Sequence, residues 1–383
     1  MSESLAILDR LIAFPTVSRD SNLALIGFAR DRLAAAGAAV ELVANAAGDK
    51  ANLLAIIGPR DKPGIILSGH SDVVPVEGQA WSSDPFRLTE RDGRLHGRGT
   101  ADMKGFLAAA LAAVERARGR TFRHPLILSF SHDEEIGCIG VRSLLEVLPD
   151  RIAPPLCCVV GEPTGFAVML GHKGKLSGTI ACRGRAGHSS LAPHRLNAIH
   201  LACDMVGEIR RLQDEIAATG RRDPDYDVPY TTLHVGRIAG GTALNIVPDA
   251  CSLEFEIRHL AADDPEALLE RLRAHGRALA GHHHAGFPEA AVEVAARSSY
   301  PGLDTPSDAA VVDLVAGLVG ERRLGKIDFG TEGGLFHRRL AVPTVICGPG
   351  SIGVAHQPDE HLAPADLARC DAMLDRLIDR IAA

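Results

Sequence analysis

The sequence has few aromatic residues, no cluster of basic residues and no apolar run long enough to cross a lipid bilayer. Only 4% of its 383 residues are aromatic, and the formal net charge is −7. Proteins that bind nucleic acid usually present a basic surface, so this composition argues against a nucleic-acid partner. The N-terminus also lacks the basic and apolar segments of a secretory signal. We therefore expect a cytoplasmic protein with no membrane partner.

The sequence contains 8 cysteines but no C-x-x-C pair, which is the spacing typical of a thiolate zinc site. Cys157 and Cys158 are adjacent within an apolar run, and Cys182, Cys203 and Cys251 also lie in apolar segments. This pattern predicts buried, unpaired thiols in a reducing compartment and does not support a thiolate zinc site.

The chain is longer than one hydrophobic core usually absorbs, so we expect two domains. Short apolar runs such as 65–69 and 126–130 do not alternate and are interleaved with helical patterns, which indicates an α/β sheet covered on both faces. From 175 to 287 the strand patterns alternate, which is typical of an antiparallel sheet with one solvated face. We therefore predict a domain of residues 1–174 and 288–383, interrupted by an inserted α+β domain of residues 175–287.

Residues that commonly bind metals follow four of the predicted strands. In sheets of this class, functional groups gather beyond the carboxyl ends of the strands. A scatter of surface acids would not show this regularity, so the pattern predicts a metal site. The residues are His70 and Asp72 after the strand at 65–69, Glu134 and Glu135 after 126–130, Glu162 after 156–160, and His356 beyond 344–347.

Imidazole and carboxylate ligands without cysteine suit Zn²⁺, with Co²⁺ or Mn²⁺ as substitutes. Two histidines and three carboxylates are enough for two metal ions that share one carboxylate and activate a water molecule. Asp102, which follows a glycine-rich turn, is either that shared ligand or an ordinary helix N-cap. Of Glu134 and Glu135, one can bind a metal while the other acts as a general base, although acids also favour a helix start. Asp72 could orient His70, which taken alone could be a buried core residue.

Several motifs together resemble the M20 metallopeptidase family, and the resemblance covers essentially the whole chain. The motifs are His70-Ser71-Asp72, Gly97-Arg98-Gly99-Thr100-Ala101-Asp102, Asp133-Glu134-Glu135, Gly161-Glu162-Pro163-Thr164, Gly187-His188-Ser189-Ser190, Gly330-Thr331-Glu332-Gly333-Gly334 and Ala355-His356-Gln357-Pro358-Asp359-Glu360. The resemblance implies a two-domain α/β fold, with a zinc-peptidase-like mixed sheet flanked by helices and an inserted α+β dimerisation (lid) domain. It also implies a dizinc amidohydrolase that acts on an N-acylamino acid and forms a homodimer through the inserted domain.

The resemblance further implies a role for each matching residue. His70 and Glu162 would hold one zinc ion, Glu135 and His356 the other, and Asp102 would bridge them. Asp72 would orient His70, and Glu134 would be the general base. His188, contributed by a second subunit, would stabilise the oxyanion, and Arg258 would bind the substrate carboxylate. Asn245, Gly330 and Thr331 would line the pocket.

Two of these residues have simpler interpretations that the sequence leaves open, and Glu332, to which the resemblance gives no role, also has two interpretations. His188 could belong to a helix cap with the serines that follow it, and Arg258 could pair with Glu256 or Glu254 on its own strand. Glu332 could bind the side-chain ammonium group of a basic substrate, or it could be a loop acid that faces water. Outside the class of hydrolases, a non-catalytic metal-binding protein and a nucleotide-binding α/β protein are the alternatives. The complete ligand set argues against the former, and the missing phosphate loop argues against the latter.

Overall fold

The computed structural model describes residues 2–383, which divide into two compact units. Unit 1 comprises residues 2–171, 303–326 and 331–383, and unit 2 comprises 172–302 and 327–330. The second predicted boundary, at 287/288, lies before the strand Ala291–Tyr300, which pairs with the sheet of unit 2. The alternation of this strand is weak because alanine and serine occupy both of its faces, so the sequence pattern did not reveal it.

The strands, numbered in chain order, are β1 (Ala39–Ala44), β2 (Ala51–Ile57), β3 (Ile65–His70), β4 (Thr89–Arg91), β5 (Arg94–His96), β6 (Leu126–Ser131), β7 (Cys157–Val160), β8 (Val168–His172), β9 (Gly174–Arg183), β10 (Gly187–His188), β11 (Thr232–Gly240), β12 (Ile246–Val247), β13 (Ala250–His259), β14 (Ala291–Tyr300), β15 (Leu303–Asp304), β16 (Leu324–Ile327), β17 (Thr344–Ile346) and β18 (His361–Leu362). The α-helices are α1 (Glu3–Ile12), α2 (Leu23–Ala35), α3 (Gly105–Arg116), α4 (Val141–Val147), α5 (Ala198–Thr219), α6 (Pro265–His283), α7 (Ala310–Val319), α8 (Gly333–Leu340) and α9 (Pro364–Ile381). None of these helices has a stretch apolar enough and long enough to span a bilayer.

The central sheet of unit 1 has the strand order β1-β2-β6-β3-β7-β17-β8-β15, with β16 paired to β8. Strands β6, β3, β7 and β17 are parallel neighbours, whereas β1, β2 and β8 pair antiparallel. The predicted mixed α/β sheet is therefore confirmed. Because the four parallel strands point the same way, their carboxyl ends lie along one edge of the sheet.

Helix α3 packs closely against the sheet at this edge. Its apolar residues are buried on every side, as expected for a helix that is hydrophobic all round. A Cβ atom on Gly69 would lie 2.7 Å from Met103, and one on Gly161 would lie 2.1 Å from Phe106. The two glycines therefore allow the loop and helix that follow Asp102 to approach the ends of β3 and β7.

Unit 2 contains a four-stranded antiparallel sheet in the order β11-β13-β9-β14. Residues of β13 alternate between buried and more exposed positions, and the buried side chains form a core with helices α5 and α6. The predicted antiparallel α+β arrangement is therefore confirmed.

The chain enters and leaves unit 2 at neighbouring points. A Cβ atom on Gly302 would lie 3.0 Å from both the backbone nitrogen of Gly174 and the carbonyl oxygen of His172. The two ends of this long segment therefore lie side by side.

All 8 cysteines are free, and seven of them are buried. The exception is Cys203, which is exposed, so the prediction that it is buried is wrong. It lies on α5 between buried and exposed positions, and the apolar residues around it obscured the face on which it lies.

Candidate metal centre

The carboxylate of Asp102 lies between two imidazole rings. Its Oδ1 atom is 2.9 Å from Nε2 of His70, and its Oδ2 atom is 3.3 Å from Nε2 of His356. His70 also lies 3.7 Å from Oε1 of Glu162, and His356 lies 3.0 Å from Oε2 of Glu135. The Nε2 atom of each imidazole thus lies close to Asp102 and to one further carboxylate.

These five residues form two groups that could each hold a metal ion. One group is His70, Asp102 and Glu162, the other is Asp102, Glu135 and His356, and the ligand atoms within each group lie within 4.8 Å of one another. Imidazole nitrogens and carboxylate oxygens are suitable ligands for Zn²⁺, Co²⁺ and Mn²⁺. The residues present therefore fit a pair of divalent ions that share Asp102.

The positions of the five residues follow from the sheet and from the loop before α3. His70 ends β3, Glu162 follows β7 by two residues, and Glu135 follows β6. Asp102 lies in the turn Thr100–Lys104 directly before α3, where its backbone is not helical, and its peptide bond to Met103 is cis. The structure thus brings together all five residues that the sequence predicted as metal ligands.

The electrostatics of the cluster are those of a site that attracts cations. Burial lowers the pKa of His70, but the hydrogen bond with Asp102 and the charge of Glu162 outweigh it and raise that pKa well above the ordinary value. Hydrogen bonds with Asp102 and Glu135 raise the pKa of His356 to about 10. Burial and the charge of Asp102 raise the pKa of both Glu135 and Glu162. Negative charge concentrated in a buried site favours any bound cation, whether a proton or a metal ion.

Asp72 contacts more than the histidine it was predicted to orient. Nδ1 of His70 lies 2.9 Å from the backbone carbonyl of Asp72 and 3.7 Å from its carboxylate. The carboxylate instead accepts the backbone N–H groups of Glu134, at 3.1 Å, and of Glu135, at 3.4 Å. It also accepts the Ser18 hydroxyl at 2.7 Å. Asp72 therefore contacts His70 mainly through its main chain, and it holds the loop of Glu134 and Glu135 through its side chain.

Glu134 lies in the same loop as Glu135 but belongs to neither group of candidate ligands. Its Oε1 atom accepts the Cys138 thiol at 3.2 Å. Burial raises the pKa of Glu134 well above the ordinary value, the charge of His70 lowers it, and the charge of Glu135 raises it further. A carboxylate with a raised pKa is suited to accept and return a proton near neutral pH.

Glu332 is buried, with 1% of its surface exposed, so the interpretation that it faces water is wrong. One carboxylate oxygen accepts the Ser68 hydroxyl at 3.0 Å, and the other has no hydrogen-bond partner among residues 2–383. Burial raises the pKa of this carboxyl group. The neighbouring Thr331 is also buried, and its hydroxyl accepts the N–H of Gly333 at the start of α8.

Two predicted site residues lie together in unit 2. His188 and Asn245 are both exposed, and the backbone carbonyl of Asn245 accepts the N–H of Ser189 at 2.9 Å. Nδ1 of His188 lies 2.8 Å from the Ser190 hydroxyl and accepts the Ser190 N–H at 3.2 Å. The capping contacts that the sequence suggested for His188 are therefore present. They involve only Nδ1.

Arg258 and Gly330 form a second pair in unit 2, on either side of Tyr300. Nε of Arg258 donates to Glu256 at 3.0 Å, as the simpler interpretation expected, and Nη1 donates to the Tyr300 hydroxyl at 3.4 Å. A Cβ atom on Gly330 would lie 2.1 Å from the Tyr300 ring, so only glycine fits there. Sequence reasoning missed Tyr300, which has no motif of its own, as well as Ser18 and Cys138.

A mixed sheet with two groups of candidate metal ligands that share an aspartate is typical of a metal-dependent hydrolase. Residues 66–380 match the family described as Peptidase family M20/M25/M40, and the chain belongs to that family of metallopeptidases and amidohydrolases. The acetylornithine deacetylase of Pasteurella multocida (strain Pm70) is 34% identical over 375 residues, which cover 96% of this chain and 95% of the relative. That of Klebsiella pneumoniae (strain 342) is 37% identical over 316 residues, which cover 82% of this chain and 79% of the relative.

Solved structures agree with the fold assignment. An M20 family metallo-carboxypeptidase from Sulfolobus solfataricus superposes with a TM-score of 0.79 at 20% identity, covering 99% of both chains. A dinuclear metal-binding peptidase of the M20 family from Bacillus subtilis gives a TM-score of 0.68 at 15% identity, covering 99% of this chain and 97% of the other. At these identities the likeness establishes the fold.

Proposed function

We propose that this enzyme hydrolyses N²-acetyl-L-ornithine to acetate and L-ornithine, a step of arginine biosynthesis. The chemistry is supported by one observation above all: Asp102 faces both imidazoles, while Glu134 stays outside the ligand groups. The substrate is supported by the names of the relatives, which match most of this chain at 34% and 37% identity.

The proposed ions are two Zn²⁺, with Co²⁺ or Mn²⁺ as substitutes. His70 and Glu162 would hold one, Glu135 and His356 the other, and Asp102 would bridge them. When bound, the two ions would supply Lewis acidity that polarises the acyl carbonyl and makes a water molecule more acidic.

The residues of the chain would move the protons and hold the substrate. Glu134 takes a proton from the attacking water as the new C–O bond forms, and returns it to the amine nitrogen as the amide C–N bond breaks. His188, through the nitrogen that does not contact Ser190, donates a hydrogen bond to the developing oxyanion. Arg258 binds the α-carboxylate through its Nη1 side, next to the Tyr300 hydroxyl. Asn245, Gly330 and Thr331 line the pocket.

We further propose a cytoplasmic homodimer formed through unit 2, in which His188 serves the site of the neighbouring subunit. An exposed His188 on a short strand is available for such a contact. This arrangement would make unit 2 the dimerisation (lid) domain.

A panel of substrates tests the proposal. The enzyme is stripped of metal, reloaded with Zn²⁺ or Co²⁺, and assayed on N²-acetyl-L-ornithine, N-succinyl-diaminopimelate, N-acetyl-L-methionine and a dipeptide. We expect the highest kcat/KM on acetylornithine, and a higher value on any other member would replace the proposed substrate. Glu134→Gln is the matched control, because it keeps the shape of the side chain but cannot accept the proton. It should abolish turnover while the protein still binds two ions.

A further inference from the structure

Glu360 is a completely buried carboxylate that binds the backbone of the loop carrying Asp102. Its Oε1 atom accepts three N–H groups, from Gly99 at 3.1 Å, Ala101 at 2.9 Å and Asp102 at 3.0 Å. Glu360 has 0% of its surface exposed. A set of backbone N–H groups that converge on one oxygen is a typical anion-binding turn, and here the anion belongs to the protein itself.

Arg98 occupies the other side of this carboxylate. Its Nη1 atom donates to Oε2 of Glu360 at 2.6 Å, and its Nη2 atom donates to the side-chain oxygen of Gln79 at 2.5 Å. Only 1% of Arg98 is exposed, and its guanidinium lies 5.0 Å from the centre of the Trp81 ring. Burying an ion pair is costly and adds little stability compared with apolar packing, so the pair is weak evidence of a contribution to stability.

Gln79 extends the network to a second candidate ligand. Its Nε2 atom donates to the backbone carbonyl of His356 at 2.9 Å. His356 has a φ of +63°, a left-handed conformation that residues other than glycine adopt uncommonly. The side chain of His356 is half exposed, so packing alone constrains it weakly. The hydrogen bond from Gln79 therefore holds the backbone of His356 in place, and this backbone determines the direction of the imidazole.

The three side chains join the backbones of Asp102 and His356 in one chain of hydrogen bonds. We propose that Glu360, Arg98 and Gln79 are positioning residues that set the distance between these two metal ligands. None of the three side chains belongs to either group of candidate metal ligands. The network holds the two ligands in position before an ion binds. This lowers the entropy cost of ordering them when the ion binds.

The topology of the network predicts different effects on the two ions. Asp102 belongs to both ligand groups, whereas His356 belongs only to the group with Glu135. Loss of Glu360 should therefore weaken binding of both ions, while loss of Gln79 should weaken binding of one. A role in folding alone would not separate the two binding steps.

The inference rests on the proposed two-ion site, and the experiment is designed so that the two can fail separately. Metal-free protein is titrated with Zn²⁺ in competition with a chromophoric chelator, and the two binding constants are determined for each variant. Gln79→Ala should weaken one step about 10-fold or more and leave the other unchanged. Glu360→Gln, which keeps the size of the side chain but not its charge, should weaken both steps. Thermal unfolding of each metal-free variant shows whether it is folded.

Two further variants test whether the hydrogen bond from Gln79 to His356 is responsible for the effect. Gln79→Glu keeps the acceptor for Arg98 but replaces the N–H donor that His356 needs, so it should weaken the same step as Gln79→Ala. Gln357→Ala is the matched control, because that glutamine also donates to a backbone carbonyl of this loop, that of Gly353 at 3.1 Å, but not to a ligand. Both binding constants should remain at the wild-type values in Gln357→Ala.

The outcomes separate the two proposals. If the wild-type protein binds two ions and Gln79→Ala binds them with unchanged constants, the positioning role is refuted while the proposed function stands. Equal weakening of both steps in Gln79→Ala would likewise refute it, since the network would then act on the fold as a whole. If the wild-type protein does not bind two ions, the proposed function fails first.

Discussion

The carboxylate of Asp72 accepts the backbone N–H of Glu134 at 3.1 Å. This bond ties the loop that carries the candidate base to the end of the strand that carries His70. Asp72 therefore connects the end of β3, which carries His70, to the loop that carries Glu134.

Replacing Asp72 with asparagine should disturb this connection without changing the size of the side chain. Each carboxylate oxygen of Asp72 accepts one backbone N–H, from Glu134 or Glu135. In asparagine an NH₂ group replaces one of these oxygens, so two hydrogen-bond donors would face each other. We expect about a 10-fold to 100-fold loss of kcat, together with about 1–3 kcal/mol of lost unfolding free energy. Steady-state kinetics and urea unfolding measure the two effects. Ser18→Ala, which removes only a donor to Asp72, should have the smaller effect, and a fully active Asp72→Asn enzyme would contradict this role.

Metal binding should release a proton from His356. The pKa of this imidazole is raised to about 10 in the metal-free protein, so the ring is protonated at neutral pH, and a metal ligand must be neutral. Calorimetric titration of Zn²⁺ in two buffers with different ionisation enthalpies should show proton release, reduced by about one proton in His356→Asn. Equal proton release by the wild-type protein and the variant would argue against this.

The same shift predicts how the stability of the metal-free protein depends on pH. The folded-state pKa is raised above the ordinary 6.5, so the protonated ring stabilises the fold fully below that value, and the contribution is lost as the pH rises through about 10. The unfolding temperature of the metal-free protein should therefore fall more steeply over this range than that of His356→Asn. Parallel curves would show that the proton on His356 does not stabilise the fold.

The proposed exchange of His188 between subunits predicts recovery of activity on mixing. His188→Ala and Glu134→Gln should each be nearly inactive. A mixed dimer would contain one site with an intact Glu134 and an intact His188 from the partner. Unfolding and refolding equal amounts together should therefore restore up to about a quarter of the wild-type activity, since half of the randomly formed dimers are mixed. If His188 serves its own subunit, the mixture should stay as inactive as its parts.

Glu332 should matter more for a basic substrate than for a neutral one. One of its carboxylate oxygens has no hydrogen-bond partner among residues 2–383, and Gln keeps the volume and the acceptor for Ser68 while removing the charge. We expect Glu332→Gln to lose about 10-fold or more in kcat/KM on acetylornithine, the size expected for a charged hydrogen bond, and less on acetylmethionine. Equal losses of kcat/KM on both substrates would show that Glu332 supports the local structure and does not bind the ammonium group. Ser68→Ala, which removes the hydroxyl that donates to Glu332, is the control for local packing.

The ligand cluster could be predicted from sequence because each of its parts carries a local signal. A short buried strand is recognisable from its composition, and a histidine or glutamate directly after it stands out. The rule that strand ends share an edge then brings together residues as distant as His70 and Glu162. The directions of the strands are sufficient for this prediction, and the contacts between individual side chains are not needed.

The supporting contacts could not be predicted, since they depend on which atoms meet. Glu360 lies four residues after His356, yet it binds the loop around Asp102, and no sequence spacing indicates this. Asp72 was predicted to orient His70, but the sequence does not indicate which of its atoms is nearer, and the structure places the backbone carbonyl closer to His70 than the carboxylate. The strand β14 was missed because small residues hide the difference between its faces.

The close approach of Gly174 and Gly302 has a consequence for the engineering of this chain. A segment whose two ends meet can be removed or exchanged without forcing the remaining chain to span a gap. The junction is therefore a defined place at which residues 175–301 can be exchanged for a different domain.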